Sequence, residues 1–405
     1  MEEAKLKREL NLLYLTAIGI GTVVGTGIVK LPGVLAGILG PAQILAWILT
    51  GLLVGMMALN LAELSSRFPE EGGIYIFGKR NLGEFVGFLV GWAYWIGLSL
   101  AIGALALATA DSILLIFGAE VSIELLMLVG IFVILVLLVI NILGVKLTRV
   151  AQTVLTVSKV LVLVALILFG LFFVNLENIT ADFAPYGYAN LGIGIMIALW
   201  AYLGAEEITP PAEEAKHPEK TIPLAIVITI TTAMVIYVLV SVVSIGILGY
   251  KALASYEIRG VEMAAREIWG EAGGIIFSLF MVFSFSAVIN GVLLANSRIL
   301  YAFSRDEIVP KKLAEIHSKY STPWISIVAQ GVVGILAILL FRVFTAIVII
   351  VDFVMLFPYL MLSLGLLLYR TKVKDEENGP IFYIKSPITL CDNCWNNNFR
   401  SLSNI

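Results

Sequence analysis

The chain has 405 residues, of which 60% are hydrophobic and only 14% charged, and its mean hydropathy is +1.00. That balance is far from the even mix of a water-soluble domain, so the chain needs lipid as its solvent. A net charge of −3 gives no basic field for nucleic acid, and two histidines, His217 and His317, are too few and too far apart for a metal or triad centre.

The N-terminus runs from Met1 to Asn11 with Lys5, Lys7 and Arg8 and enters an apolar span longer than a signal-peptide core, without a small-residue cleavage site. It is expected to be retained. Taking about 20 apolar residues as the length that crosses hydrocarbon, spans are predicted near 12–38, 41–66, 84–115, 123–144, 149–174, 189–213, 223–248, 272–300, 324–341 and 343–369. The connections at Gly40-Pro41 and around Arg342 are short enough to be hairpin turns, and those at 67–83, 214–222, 249–271 and 301–323 are polar. Lys and Arg concentrate in alternate connections: the segments on the far side from the N-terminus hold only Lys251, Arg259, Arg266 and Arg342. Basic residues are retained on the cytoplasmic side, so both termini are expected in the cytoplasm of a multi-pass cell-membrane protein. The expected division is a cytoplasmic segment 1–11, a ten-helix domain 12–370 and a polar tail 371–405, cytoplasmic and poorly ordered. The tail carries Cys391 and Cys394 as an incidental C-x-x-C, lacking the four ligands of a zinc site and the βαβ context of a redox site.

Two spans are poor material for a continuous helix. The first reads Gly19-Ile20-Gly21-Thr22-Val23-Val24-Gly25-Thr26-Gly27-Ile28 and then Leu31-Pro32-Gly33; the sixth reads Trp200-Ala201-Tyr202-Leu203-Gly204-Ala205-Glu206-Glu207 and then Thr209-Pro210-Pro211. Gly21 and Gly25 also have the Gly-x-x-x-Gly spacing of a close-packing face. Unwound backbone at membrane depth is tolerated only where it lines a protein cavity, and two such spans five helices apart suggest inverted repeats meeting at a midplane site. The fold expected is therefore an all-α polytopic membrane protein that resembles the leucine-transporter arrangement. It has five plus five helices, with helices one and six broken and the repeats covering about 12–174 and 189–370.

Further motifs accompany these breaks: Ala62-Glu63-Leu64 and Phe68-Pro69-x-x-Gly72-Gly73-x-Tyr75 after the second span, Gly91-Trp92 in the third, and Gly204-x-Glu206 in the sixth. In the second half come Glu213-Glu214-x-Lys216-x-Pro218-x-Lys220-x-Ile222-Pro223, then Ser297-Arg298-x-Leu300-Tyr301-Ala302-x-Ser304-Arg305-Asp306 with Pro310 and Thr322-Pro323. In order and spacing the chain resembles the amino acid–polyamine–organocation superfamily, the amino acid permeases. The resemblance implies a secondary active transporter of amino acids working by alternating access, proton-coupled or exchanging. Its partners would be a small amino acid, protons and the bilayer, with no cofactor, metal or covalent chemistry. A second reading is a membrane-embedded amino acid sensor or a transport-defective, truncated paralogue. A membrane enzyme is disfavoured, since no metal pair, nucleophile with base or phosphate loop is found. Members commonly have twelve helices, whereas Lys374-Asp375-Glu376-Glu377-Asn378-Gly379-Pro380 and an Asn-rich ending follow Arg370. Helices eleven and twelve are expected to be missing.

An amino acid brings a carboxylate and an ammonium to a place where bare charge is expensive. Backbone N–H groups freed at the first break, around Gly25, Thr26, Gly27 and Ile28, form the positive end of a half-helix and suit the carboxylate. Carbonyls freed at the sixth-span break, around Trp200, Ala201, Leu203 and Gly204, suit the ammonium, as the resemblance also implies. Trp200 and Tyr202 are expected as aromatic walls, with ordinary helix packing the competing reading. The resemblance further implies that Lys159, deep in the fifth span, takes the place of a sodium ion. It would reach the carbonyl near Gly21 and a serine of the eighth span, Ser286 or Ser284, and couple transport to protons. A fixed structural tether is the alternative. Glu206 holds the family's usual acidic position and would tie the half-helix to its neighbours or respond to pH. Lys30 has two readings, a pair with an acidic residue of the sixth helix or a lysine snorkelling to the outer vestibule. Asn290, Asn296 and Asp352 either line the path or bond helix to helix, and Glu63, Arg67, Arg298 and Arg305 are candidate gate ion pairs.

Overall fold

A computed structural model describes residues 11–67, 73–119, 122–144, 149–208, 215–320 and 322–372. Among these the elements are helical: α1 (Leu12–Val23), α2 (Thr26–Leu39), α3 (Gln43–Arg67), α4 (Gly73–Leu82), α5 (Glu84–Ile116), α6 (Ile123–Ile142) and α7 (Arg149–Gly170) in the first half. There follow α8 (Glu177–Thr180), α9 (Leu191–Tyr202), α10 (Pro218–Leu248), α11 (Tyr250–Ser255), α12 (Gly260–Arg305), α13 (Trp324–Phe341) and α14 (Phe344–Lys372). Helical stretches long and apolar enough to cross a membrane cover Thr26–Leu64, Glu84–Ile116, Ile123–Ile142, Lys220–Leu248, Glu257–Arg305, Trp324–Phe341 and Phe344–Arg370, and shorter apolar helices cover Leu12–Val23, Val157–Phe173 and Leu191–Tyr202. Together these account for the spans expected from hydropathy. In the eighth, Gly270 at φ 71° interrupts α12 and leaves a ten-residue piece ahead of the long spanning one.

Both expected interruptions are present. Between α1 and α2 the chain is extended at Val24 (ψ 99°) and Gly25 (φ −152°, ψ −134°). After α9 it leaves the helix at Leu203 (ψ 143°) and Gly204 (φ 107°) before the short 3-10 turn Ala205–Ile208. Only glycine takes the Gly204 conformation without strain.

The long helix α5 is the centre, packing against α12, α14, α4, α13 and α6. Its most apolar stretch is 83% buried, against 28% for α6. On the periphery Leu128, Phe132, Leu135 and Val139 of α6, and Leu161, Leu168 and Phe169 of α7, stand exposed at helical spacing. An apolar face of that extent in water would be an aggregation surface; in hydrocarbon it is the solvated one. Polar residues within the spans pair across helices. Asn141 Nδ2 donates to Asn290 Oδ1 at 2.8 Å, and Asn296 Nδ2 donates to the Trp95 carbonyl and to Ser99 Oγ, each at 3.1 Å. Asn290 and Asn296 thus bond helix to helix.

Small residues let α5 and α13 touch: a Cβ on Gly103 would stand 2.7 Å from the Gly334 carbonyl and 3.0 Å from Ala337 Cβ. Gly103→Val is expected to cost about 1–3 kcal/mol through overpacking. Gly192→Ala, where a Cβ meets nothing within 4 Å, is expected to raise stability by about 0.4–1 kcal/mol. Thermal unfolding of the detergent-purified protein compares the two directly.

Candidate functional site

The two breaks meet. They open on a cavity of about 380 Å³ lined by Gly21, Thr22, Gly25, Thr26 and Gly27 of the first span, by Trp200, Leu203, Gly204 and Glu206 of the sixth, and by Lys159, Ser284 and Val351 from α7, α12 and α14. The lining continues to Tyr14, near the start of α1, and to the exposed Arg298, near the end of α12. The cavity therefore extends from the breaks toward the face that carries the N-terminus. In the other direction it stops at Gly27, Leu105 and Val351.

The backbone at α2's start is ready for an anion. Gly25 caps α2 without any side-chain hydrogen bond, so the first N–H groups of the half-helix are unmet by a cap and sit at the cavity wall. Gly27 allows this closeness, because a Cβ there would overlap Ala201 of α9. The Trp200 indole crosses from one break to the other, its Nε1 donating to Thr26 Oγ1 at 3.1 Å, with the ring edge-on to Phe344 at 6.2 Å.

Other side chains satisfy backbone groups that the breaks release. Thr22 Oγ1 donates to the Gly204 carbonyl at 2.8 Å, while the Gly204 N–H donates to Glu206 Oε2 at 2.9 Å. Glu206 also accepts from the Tyr94 hydroxyl at 3.4 Å and bonds Tyr359, so it ties the sixth-span turn to α5 and α14. Tyr237 of α10, fully buried, lies with its hydroxyl 2.8 Å from the Val23 carbonyl and 2.7 Å from the Ala201 carbonyl, one oxygen serving both breaks. Sequence reasoning missed Tyr237. Its only signal was a hydroxyl-bearing aromatic in the middle of an apolar span.

Not every expected residue faces the cavity. Tyr202 points the other way: it is fully buried, its hydroxyl donates to the Trp47 carbonyl at 2.8 Å, and its ring packs edge-on against Tyr237 at 4.9 Å. A residue two positions after Trp200 lies across the helix from it, so one helix cannot aim both rings at the same hollow. Ala201 gives its carbonyl to Tyr237, and the Ile28 side chain is buried in the core, leaving only its backbone N–H at the start of α2. Of the two serines, Ser284 lines the cavity and Ser286 does not; the buried Ser284 hydroxyl has no hydrogen-bond partner among the described residues. Lys159 is buried and donates from Nζ to the Gly21 carbonyl, joining α7 to α1. Asp352 is buried in α14 beside the Trp200 backbone.

Both readings of Lys30 are corrected. It neither pairs with the sixth span nor snorkels: it is fully buried and bonds Asp111 of α5 and Glu262 of α12. Among the candidate gate charges Glu63 pairs with Arg370, and Arg298 stands at the cavity rim. The Tyr75 hydroxyl donates to Asp306 at 3.1 Å, with Lys79 3.7 Å from the same carboxylate. Burial, and then that hydrogen bond, raise the Tyr75 phenol above its usual range, so it stays a donor at physiological pH. The side chains of Arg67 and Glu207, the cysteine pair and the tail beyond 372 lie outside the described residues.

One family model and three relatives bear on this geometry. The family model described as "Amino acid permease" matches residues 10–395. The chain is 29% identical over 383 residues to the serine/threonine exchanger SteT of Bacillus subtilis (strain 168), covering 93% of this chain and 87% of that one. It is 28% identical to the methylthioribose transporter of the same organism, covering 81% and 75%, and 26% identical to its branched-chain amino acid permease BcaP, covering 80% and 73%. These relatives are transporters, not enzymes.

Tyr202→Phe is expected to lower stability by about 1 kcal/mol through one lost hydrogen bond and to leave ligand affinity unchanged. Tyr237→Phe, which removes the single O–H shared between a carbonyl at each break, is expected to cost about 1–3 kcal/mol and to weaken ligand binding as well. Thermal unfolding with and without ligand reads both quantities.

Proposed function

This chain belongs to the amino acid permease family, and on that premise we propose that it is a secondary active amino acid transporter that works by alternating access, coupled to protons or exchanging one substrate for another. Residues 12–370 form its transport domain, with 12–174 and 189–370 as the two repeats. The observation that carries the reading is the convergence of both helix breaks on one cavity of about 380 Å³, within the range of about 300–1,000 Å³ usual for small-molecule sites.

The substrate carboxylate sits on the N–H groups of Thr26, Gly27 and Ile28, where the positive end of α2 meets it without a competing cap. Its ammonium turns toward the carbonyl end of α9 around Leu203, and Trp200 covers the substrate face. The clustering of Lys and Arg on the N-terminal side supports a cytoplasmic N-terminus. With that orientation the cavity faces inward.

Lys159 links protons to this cycle. A charged ammonium holds a carbonyl roughly twice as firmly as a neutral donor does, so loss of a proton loosens the contact with Gly21 and frees α1 from α7. Protonation and the position of α1 are then one equilibrium.

Purified protein in liposomes, empty or preloaded with unlabelled amino acids and given radiolabelled amino acids with and without an inward proton gradient, tests the class. Accumulation inside supports transport; saturable binding without movement of label across the bilayer overturns it in favour of a sensor. A thermal-shift screen of the twenty amino acids, with methylthioribose added, identifies the cargo, since a ligand at 100 times its Kd stabilises by about 2.7 kcal/mol. Lys159→Gln is expected to retain downhill uptake but lose its response to the gradient. Full gradient dependence in that variant removes the coupling role.

A further inference from the structure

Beyond the cavity, on the side away from the N-terminus, lies a cluster of four ions that the transport reading does not use. Lys30 Nζ stands 2.8 Å from Asp111 Oδ2 and 2.6 Å from Glu262 Oε2, and the side chains of Lys30 and Glu262 are both 0% exposed. The other Asp111 oxygen accepts from Arg259 Nε at 2.7 Å, and the other Glu262 oxygen accepts from Ser112 Oγ at 2.7 Å. Two cations meet two anions, and each carboxylate oxygen has a donor. Of the four ions Arg259 is the most exposed, at 24%, so it marks the outer edge.

Three separate segments are joined here: the half-helix α2, the central helix α5, and the turn Glu257–Arg259 with the outer piece of α12. The backbone approaches closely at the same place, since a Cβ on Gly33, one turn beyond Lys30, would overlap the Glu257 carbonyl oxygen. The cluster also lies where a seal must be. Asp111 is six residues past Leu105, the last α5 residue of the cavity wall, which is about 9 Å along the axis at about 1.5 Å per residue. α2, α5 and α12 pack against one another here, so the cluster stands on the way from the cavity to that face.

Buried charges of this kind are a poor source of stability, because desolvation offsets most of their attraction. They are well suited to a contact with two discrete states, since a half-broken cluster in low dielectric is costly and a fully opened one is solvated by water. The non-helical residues Val24 and Gly25 make α2 a helical body separate from α1.

We propose that Lys30 is the bolt of an ionic latch that closes the cavity on the face opposite the N-terminus, and that by holding α2 it positions the N–H groups of Thr26, Gly27 and Ile28. Opening to that face requires Lys30 to leave Asp111 and Glu262. The positioning role rests on the transport reading above; the latch does not.

The test is accessibility. Cys391 and Cys394 are replaced by serine and Leu105→Cys is introduced as a reporter in the cavity wall; a membrane-impermeant maleimide is then added to the face opposite the N-terminus. Protease protection of an N-terminal tag tells whether whole cells or inverted vesicles present that face. With the latch intact the reporter reacts slowly. Lys30→Met is expected to raise the rate by about tenfold, a shift of one decade in the closed-to-open ratio. The double variant Lys30→Met/Glu262→Gln removes one charge of each sign and leaves the Arg259–Asp111 pair, so it carries the test if the single variant does not fold; the same rise is expected. A folded double variant whose reporter reacts at the parent rate overturns the latch and leaves the cluster a static tether. Labelling needs no substrate, so a faster rate in the variant, beside a parent protein that moves no labelled amino acid into empty or preloaded liposomes, retains the latch and rejects the transport reading.

Discussion

Backbone N–H and C=O groups cannot be left bare in hydrocarbon, and this chain interrupts two of its membrane helices. The rest of the site follows from how those groups are met. Thr22, Glu206 and Tyr237 bond carbonyls or N–H groups at the breaks, and the Trp200 indole bonds the hydroxyl of Thr26. What they leave unmet is not scattered: the uncapped N-terminus of α2 opens on the cavity. A polar ligand entering there completes a set of bonds that the protein has otherwise almost closed, and an apolar one gains no such partner.

Much of this was legible in the sequence because it depends on local chemistry. Glycine runs at 19–27 and around 204, with prolines just beyond, mark places where a helix cannot be continuous, and hydropathy set the span limits to within a few residues. Lys159 was found because a charge amid apolar neighbours stands out, and its bond to Gly21 was expected from the resemblance. The failures are those of direction and distance. Tyr202 turned inward to Trp47 because helix phase relative to neighbouring spans is not written in one helix. Ser284 rather than Ser286 met the cavity for the same reason. Lys30 was misread because its partners lie 81 and 232 residues away, and a lone lysine between a helix break and the membrane surface can reach water along its stem.

The two buried lysines divide the broken first span between them. Lys159 reaches from α7 to the carbonyl of Gly21, so it acts on α1. Lys30, on α2 itself, fastens that half to α5 and α12. The extended residues Val24 and Gly25 separate the two tethers, and loosening one does not oblige the other to move. A continuous helix bound at both ends would transmit any displacement from one face to the other and tend to open both or neither. A broken one allows one end to be held while the other is free, which is the mechanical requirement for exposing a central cavity to one side at a time. In the conformation described here the α2 tether is closed on its face and the cavity reaches toward Tyr14 and Arg298 on the other. In the proposed cycle, the residues that leave α2 uncapped at the cavity, Val24 and Gly25, are therefore also those at which the two ends of the first span would move independently.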